Sequence, residues 1–218
     1  MAGDLQLPIV GAWLTIRAGT EQDLEDWYLL ETDPDVKRYV GGPATRPRDE
    51  WLSGMRGWIQ RREMLHAVVA VNASGAFAGR ALLSRNDPNS NERELQVLIA
   101  KTHWGEGFGR EASELLIRAG FKRGAPAISA VVHPENAASL ALVQTLGFKS
   151  AGKKSSDRWD NGHLIFRLER PVGRWKAQAA DASFESPEAA ARPSGSAESR
   201  LPGGSDTTFI DTQRCASR

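Results

Sequence analysis

The chain has 218 residues and a nearly balanced charge, with 28 Lys+Arg against 27 Asp+Glu. A net charge of +1 argues against a polybasic nucleic-acid binder held by phosphate neutralisation. The only cysteine is Cys215, so an internal disulfide and a Cys-rich zinc site are both excluded. No apolar run approaches the ~18 residues of a membrane span. The first ten residues carry Asp4 and no basic stretch, so no secretory leader is expected. The reading is a soluble, cytoplasmic protein that needs neither membrane nor nucleic acid.

Composition divides the chain. Residues 1–172 hold most of the aromatic and aliphatic side chains. Residues 173–218 are rich in Ala, Ser, Pro and Gly, and from Ala177 on only Phe184, Leu201, Phe209 and Ile210 are large apolar residues. Such a segment cannot bury enough apolar surface to offset its ordering entropy, so a disordered tail is expected.

In chain order, Trp13–Arg17 reads as a strand. Thr20 and Asp23 mark a helix start, followed by Leu24, Trp27 and Tyr28 on one face. Asp33-Pro34-Asp35 is a turn or cap. Trp51, Met55, Trp58 and Ile59 recur at helical spacing within Pro47–Arg62. Ala67–Val71 and Ala76–Ser84 form a hairpin around Asn72-Ala73-Ser74-Gly75, and Glu94–Ala100 is a third strand. Phe108, Ala112, Leu115, Leu116 and Ala119 then mark a helix, stopped by Gly124 and Pro126. Ala127–Val132 is a strand. Asn136 caps a helix that ends at Gly147, and Phe148–Lys153 and His163–Leu168 close as a hairpin. The order β-α-α-β-β-β-α-β-α-β-β implies an α/β (α+β) fold: a mixed, mostly antiparallel twisted sheet with helices on both faces.

The stretch Trp104-Gly105-Glu106-Gly107-Phe108-Gly109-Arg110 joins a strand to a helix. Glycines there let backbone approach a ligand, and the first helix amides lack internal partners. Aligned N–H groups and the helix dipole favour an anion such as a diphosphate. Gly107-x-Gly109-x-x-Ala112 also matches the dinucleotide-binding fingerprint. Against that, the loop lies about a hundred residues in, is separated from its strand, and follows a hairpin series rather than a β-α-β unit.

One strand later comes Asn136-Ala137-Ala138-Ser139, then Gly147-Phe148. Together these stretches resemble the GNAT superfamily of N-acetyltransferases. Its acetyl-CoA loop, Arg/Gln-x-x-Gly-x-Gly/Ala, maps onto Trp104-x-x-Gly107-x-Gly109. Its Asn-x-x-Ser/Ala and Gly-Phe motifs map onto Asn136-x-x-Ser139 and Gly147-Phe148. Trp104 in place of Arg/Gln resembles the branch acting on N-terminal amines of ribosomal proteins. That branch also includes enzymes of small amines and antibiotics.

The resemblance implies acetyl-CoA as co-substrate, no metal, and a primary amine as acceptor, with a protein N-terminal α-amine favoured. The implied cofactor contacts are Leu98, Ile99, Ala100, Trp104, Gly105, Gly107, Phe108, Gly109, Arg110, Asn136 and Ser139. Amides around Gly107–Arg110 would hold the diphosphate, and the pantetheine arm would follow the edge where Glu94–Ala100 splays from Ala127–Val132. A backbone N–H near Leu98–Ile99 would meet the thioester carbonyl. Where many members carry a proton-donating Tyr, this chain has Val143.

Two residues are read two ways. Glu94 is either the base or a solvated charge at a strand start. Ser139 either donates to the leaving thiolate or is an ordinary first-turn residue. His133 reads as structural, and His66 and His163 as isolated. The helix beginning at Trp51 is expected to wall the acceptor site. The alternative function is a GNAT-fold module that binds CoA without turnover.

Overall fold

The computed structural model describes residues 6–60, 66–85, 90–154 and 162–171. The chain runs β1 (Ile9–Val10), β2 (Leu14–Arg17), α1 (Leu24–Thr32), α2 (Arg48–Gln60), β3 (Ala67–Val71) and β4 (Phe77–Ser84). It continues β5 (Arg93–Ile99), α3 (Phe108–Lys122), β6 (Ala127–Val132), α4 (Ala137–Thr145), β7 (Lys149–Lys154) and β8 (His163–Glu169). Every element expected from periodicity is present, with ends shifted by one or two residues. The expected tail 173–218, Cys215, Arg61, Arg62 and the 155–161 part of the last hairpin lie outside the described residues. One strand was not expected. β1 pairs with β2 around Gly11, and two residues are too few to show alternation.

The eight strands form one sheet in the order β1-β2-β3-β4-β5-β6-β8-β7. All neighbours are antiparallel except β5 and β6. Strand alternation sorts the side chains of β5. Leu95, Val97 and Ile99 pack with Leu116 and Phe121 of α3. Leu98 packs on the opposite face with Trp27 and Leu30 of α1. Helices therefore cover both faces. At the start of α1, the Asp23 carboxylate accepts from Thr20 N–H and Oγ1–H at 2.7 and 2.8 Å. It also pairs with Arg17 at 2.7 Å, tying the helix to β2.

The parallel pair β5–β6 is brief. It has only two register pairs, Arg93↔Ile128 and Glu94↔Ser129. Beyond them the strands part, so the facing backbone groups of Val97–Ile99 have no ladder partner on that side. Which groups face the gap follows from the other edge. Ala100 N–H donates to Ala78 C=O across the β4 side at 2.8 Å. Alternation then turns both N–H and C=O of Ile99 away from β4, into the gap.

A β-bulge helps to set this register. Pairing passes from Val69↔Gly79 to Ala70↔Phe77, leaving Ala78 extra. Gly79 lies so close to β5 that a Cβ there would stand 2.0 Å from the Leu98 carbonyl oxygen. Gly79→Ala must push β4 from β5, so we expect a loss of ~3 kcal/mol. Chemical denaturation checks this; unchanged stability would show that the strands can separate without cost.

Beneath the α1 face lies a buried charge cluster. Glu31 accepts from Arg80 Nε at 2.5 Å and Lys37 Nζ at 2.6 Å. Burial alone would raise the Glu31 carboxyl, but the charges and hydrogen bonds of Arg80 and Lys37 outweigh it and hold it at about 2. His66 meets the Trp27 ring edge-on at 6.4 Å, and its Nε2 is sealed from solvent although the residue keeps some exposure. Burial, then the charge of Arg80, push the imidazole down to about 3; Glu31 opposes and Lys37 adds to the fall.

Both groups bind protons more readily in the unfolded chain. The His66 contribution is fully present above its ordinary value of 6.5 and is lost as pH falls towards 3. Glu31 adds a second loss between 4.5 and about 2. We expect His66→Phe, which keeps the Trp27 contact, to flatten the fall in stability from pH 6.5 to 5 by up to ~1.4 kcal/mol per unit. Urea unfolding at several pH values tests this; parallel profiles for wild type and variant would exclude His66 as the source.

Candidate active site

The glycine loop leaves β5 through a single 3-10 turn, Lys101–His103. Gly105 and Gly107 both sit in the left-handed region, with φ of 79° and 78°. A Cβ on either would meet nothing within 4 Å, so the backbone lies open to an incoming group. Gly107 is the N-cap of α3. Among the described residues, the amides from Gly105 to Gly109 make no backbone hydrogen bond outside the regular elements, whereas Arg110 N–H donates to Gly107 C=O at 3.0 Å. Of the expected cradle Gly107–Arg110, the Arg110 amide is thus engaged within the loop, while Gly107 to Gly109 carry no such bond. The first turn of the helix already uses Arg110 N–H.

Two cavities meet at this loop. The first, of about 260 Å³, lies between the loop and α4. Ile99, Trp104, Gly105, Gly107, Phe108, Gly109 and Arg110 all line it, opposite Ala138, Ala141 and Leu142. A tight amide-rich loop facing a small-residue helix face suits a long anionic ligand with a diphosphate and a slender apolar arm. The second cavity, of about 310 Å³, lies on the other side of Trp104. It is formed by Asp35, Arg38 and Tyr39 from the turn after α1, with Lys101, Glu135 and Asn136. The first cavity includes Ile99 at the end of β5; the second is reached through Lys101, which follows β5, and Glu135 and Asn136, which follow β6.

Other expected site residues fall elsewhere. Leu98 turns its backbone to β4 and its side chain to the α1 core, so of the pair Leu98–Ile99 only Ile99 presents its N–H to the gap. Ala100 N–H is likewise directed to β4. Asn136 caps α4, its Oδ1 accepting from Ser139 N–H at 3.0 Å, and it lines the second cavity. Ser139 is fully buried and lines neither cavity.

Glu94 is 1% exposed, which removes the reading as a solvated strand-start charge. It sits at the paired end of β5, on the same face as Gln96 and Leu98. It stands five positions before Ile99, about 16 Å along the strand. Val143, where the resemblance expects a Tyr, is wholly buried in the α3 core.

Several contacts around the second cavity were invisible in one dimension. Tyr39 stacks on His133, with centroids 5.0 Å apart and planes at 30°. His163, read as isolated, meets His133 edge-on at 5.8 Å. Glu135 N–H donates to His133 Nδ1 at 3.2 Å, so the neutral ring carries its proton on Nε2. Asp35 pairs with Lys101 at 2.5 Å and with Arg38 at 3.1 Å, which lowers the Asp35 carboxyl chiefly through the Lys101 hydrogen bond. Asp33-Pro34-Asp35 was the available signal, since it marked a turn. Nothing linear linked that turn to Lys101.

α2, expected to wall the acceptor side, contributes no lining residue to the second cavity. Its Trp51 packs instead on Tyr28, with centroids 5.5 Å apart. No described helix is long and apolar enough to cross a membrane.

Comparison with known proteins places this geometry. Residues 14–149 match the acetyltransferase (GNAT) domain family. The chain is 29% identical over 145 residues to "Uncharacterized protein YkkB" of Bacillus subtilis, covering 63% of this chain and 81% of that one. It is 24% identical over 166 residues to the "Uncharacterized N-acetyltransferase p20" of Bacillus licheniformis, covering 70% and 88% respectively. The fold is similar to that of spermidine N-acetyltransferase from Vibrio cholerae, solved with CoA and spermine. That match has a TM-score of 0.63 and 21% identity, and covers 73% of this chain and 96% of that one. The family match runs from β2 through α4 and so includes the glycine loop, the 35–39 turn and the capped helix that line the two cavities, and the chain belongs to the GNAT family of acetyltransferases.

Proposed function

We propose that the protein transfers acetyl from acetyl-CoA to a primary amine by direct attack, and that a protein N-terminal α-amine is its favoured acceptor. The observation that carries the reading is the pair of cavities that share Trp104 and Ala138, one lined by the glycine loop and Ile99, the other by Tyr39 and Lys101. The amides of Gly105 to Gly109 take the diphosphate, and the groove between the loop and α4 takes the arm. Ile99 N–H donates to the thioester oxygen as negative charge grows there. The rest of the rate gain comes from holding amine and acyl carbon in line.

The acceptor preference follows from proton chemistry. Only a neutral amine attacks. At pH 7 about a tenth of an α-amine with pKa ~8 is neutral, against less than a thousandth of a lysine amine with pKa ~10.4. Glu94 lies away from both cavities, so as the proposed base it works through water. Such an arrangement suits an amine that deprotonates easily. Ser139 is the proposed proton donor to the departing thiolate, also through water. A thiol with pKa ~8.5 is a good enough leaving group to need little help.

Gly107→Val forces a side chain into the left-handed region and into the open space above the loop. We expect it to weaken CoA binding by ~10–100-fold, read by calorimetry. Unchanged affinity would remove the loop from the cofactor site.

An acceptor screen of peptide N-termini, polyamines and aminoglycosides, read as CoA thiol release, tests the reaction. Release dependent on a peptide N-terminus is expected. CoA binding with no release for any amine would favour the non-catalytic binding module. In the same assay Glu94→Gln should slow lysine-like amines more than α-amines, by ~10-fold or more. Equal rates on both would exclude Glu94 as the base.

A further inference from the structure

Trp104 bridges regions that no single element joins. Its side chain packs against the α3 core and also against the α1 core. Its indole N–H donates to Ile99 C=O at 2.9 Å. It lines the first cavity and the second, as does Ala138 from the first turn of α4. Among the described residues these two alone are common to both linings.

We propose that Trp104 and Ala138 frame the aperture where amine meets thioester, and that the Trp104 indole decides whether the acyl carbon goes to the amine or to water. The proposal rests on the acetyl-transfer reading above and adds a positioning residue to it.

Three physical points support it. First, one side of the aperture is a methyl group and the other is the largest side chain in proteins, so the indole sets the opening. Second, Ile99 C=O faces the gap without a strand partner. A buried carbonyl in that state recruits water unless a protein donor satisfies it. Any such water would stand beside Ile99 N–H, where the thioester oxygen is held. The indole removes the need for it. Third, an indole N–H donates and cannot accept, so Trp104 cannot draw a proton from water and activate it.

Loss of this arrangement opens a balanced side reaction. A water oxygen forms the new bond to the acyl carbon and the C–S bond breaks. The sulfur leaves with the electron pair and is protonated, and acetate departs with release of one proton to solvent. In productive transfer the amine nitrogen makes the same bond and loses its proton.

The test compares wild type, Trp104→Phe and Trp104→Ala on acetyl-CoA, with an amine that the wild type uses. Acetate and acetylated amine are both quantified by NMR. With acetate formed in enzyme-free controls subtracted, their ratio does not depend on the fraction of folded protein, so a purely structural defect leaves it unchanged. We expect Trp104→Ala to raise the ratio by about tenfold or more. Trp104→Phe, which retains bulk and loses the donor, should raise it by about threefold because water then serves Ile99 C=O.

Wild-type transfer to amine combined with an unchanged ratio in both variants would overturn the aperture alone. Should Trp104→Ala fail to fold, an unchanged ratio in Trp104→Phe overturns it. A wild type that acetylates no amine would overturn the acetyl-transfer reading and the aperture with it.

Discussion

Everything at the candidate site depends on two strands parting. β5 and β6 share two register pairs and then diverge, and a parallel ladder left incomplete exposes backbone groups that ordinarily face each other. In most sheets such a break would be a defect. Here its surroundings are organised around it. The Gly79 approach and the Ala78 bulge set the β4 side of β5. The Trp104 indole satisfies the carbonyl of Ile99 in the gap. The Ile99 N–H stays directed into the gap, at the lining of the first cavity.

The two faces of the sheet divide the work. On one face α3 packs against Leu95, Val97 and Ile99, and the same packing fixes the height of the glycine loop at the start of that helix. On the other, α1 leads into the 35–39 turn that supplies the outer chamber. That turn is anchored from below by Glu31, which holds Lys37 from the turn and Arg80 from β4. A buried ion pair of this kind adds little net stability compared with apolar packing, but its loss leaves stranded charge. Its evident effect is positional: it links the outer wall to the strand beside β5.

Much of the fold was legible in one dimension. Helical spacing of Phe108, Ala112, Leu115 and Leu116 placed α3, and the turn at Asn72–Gly75 placed the β3–β4 hairpin. Asn136 and Gly147 bracketed α4, with Asn136 capping as expected. These signals are local, since each arises from the preferences of a few neighbouring residues. The glycine loop was legible for the same reason: positive φ at Gly105 and Gly107 is a demand that a sequence must answer on the spot. β1 escaped because two residues carry no period. The second cavity was not legible because Tyr39 and Asp35 lie in a turn whose partner, Lys101, is 66 residues away.

By itself, the amino-acid order determined the elements, their sequence, the helix ends and the loop at which backbone lies bare. It also placed Val143 where the family resemblance implies a Tyr. Only the tertiary structure decided what those pieces face. It buried Glu94 at the closed end of β5, turned Ile99 rather than Leu98 to the gap, and brought Tyr39, His133 and His163 together. The physical reason is that periodicity reports which side of an element is apolar. Register between distant strands and the meeting of distant turns depend on long-range pairing, and no local residue preference encodes that.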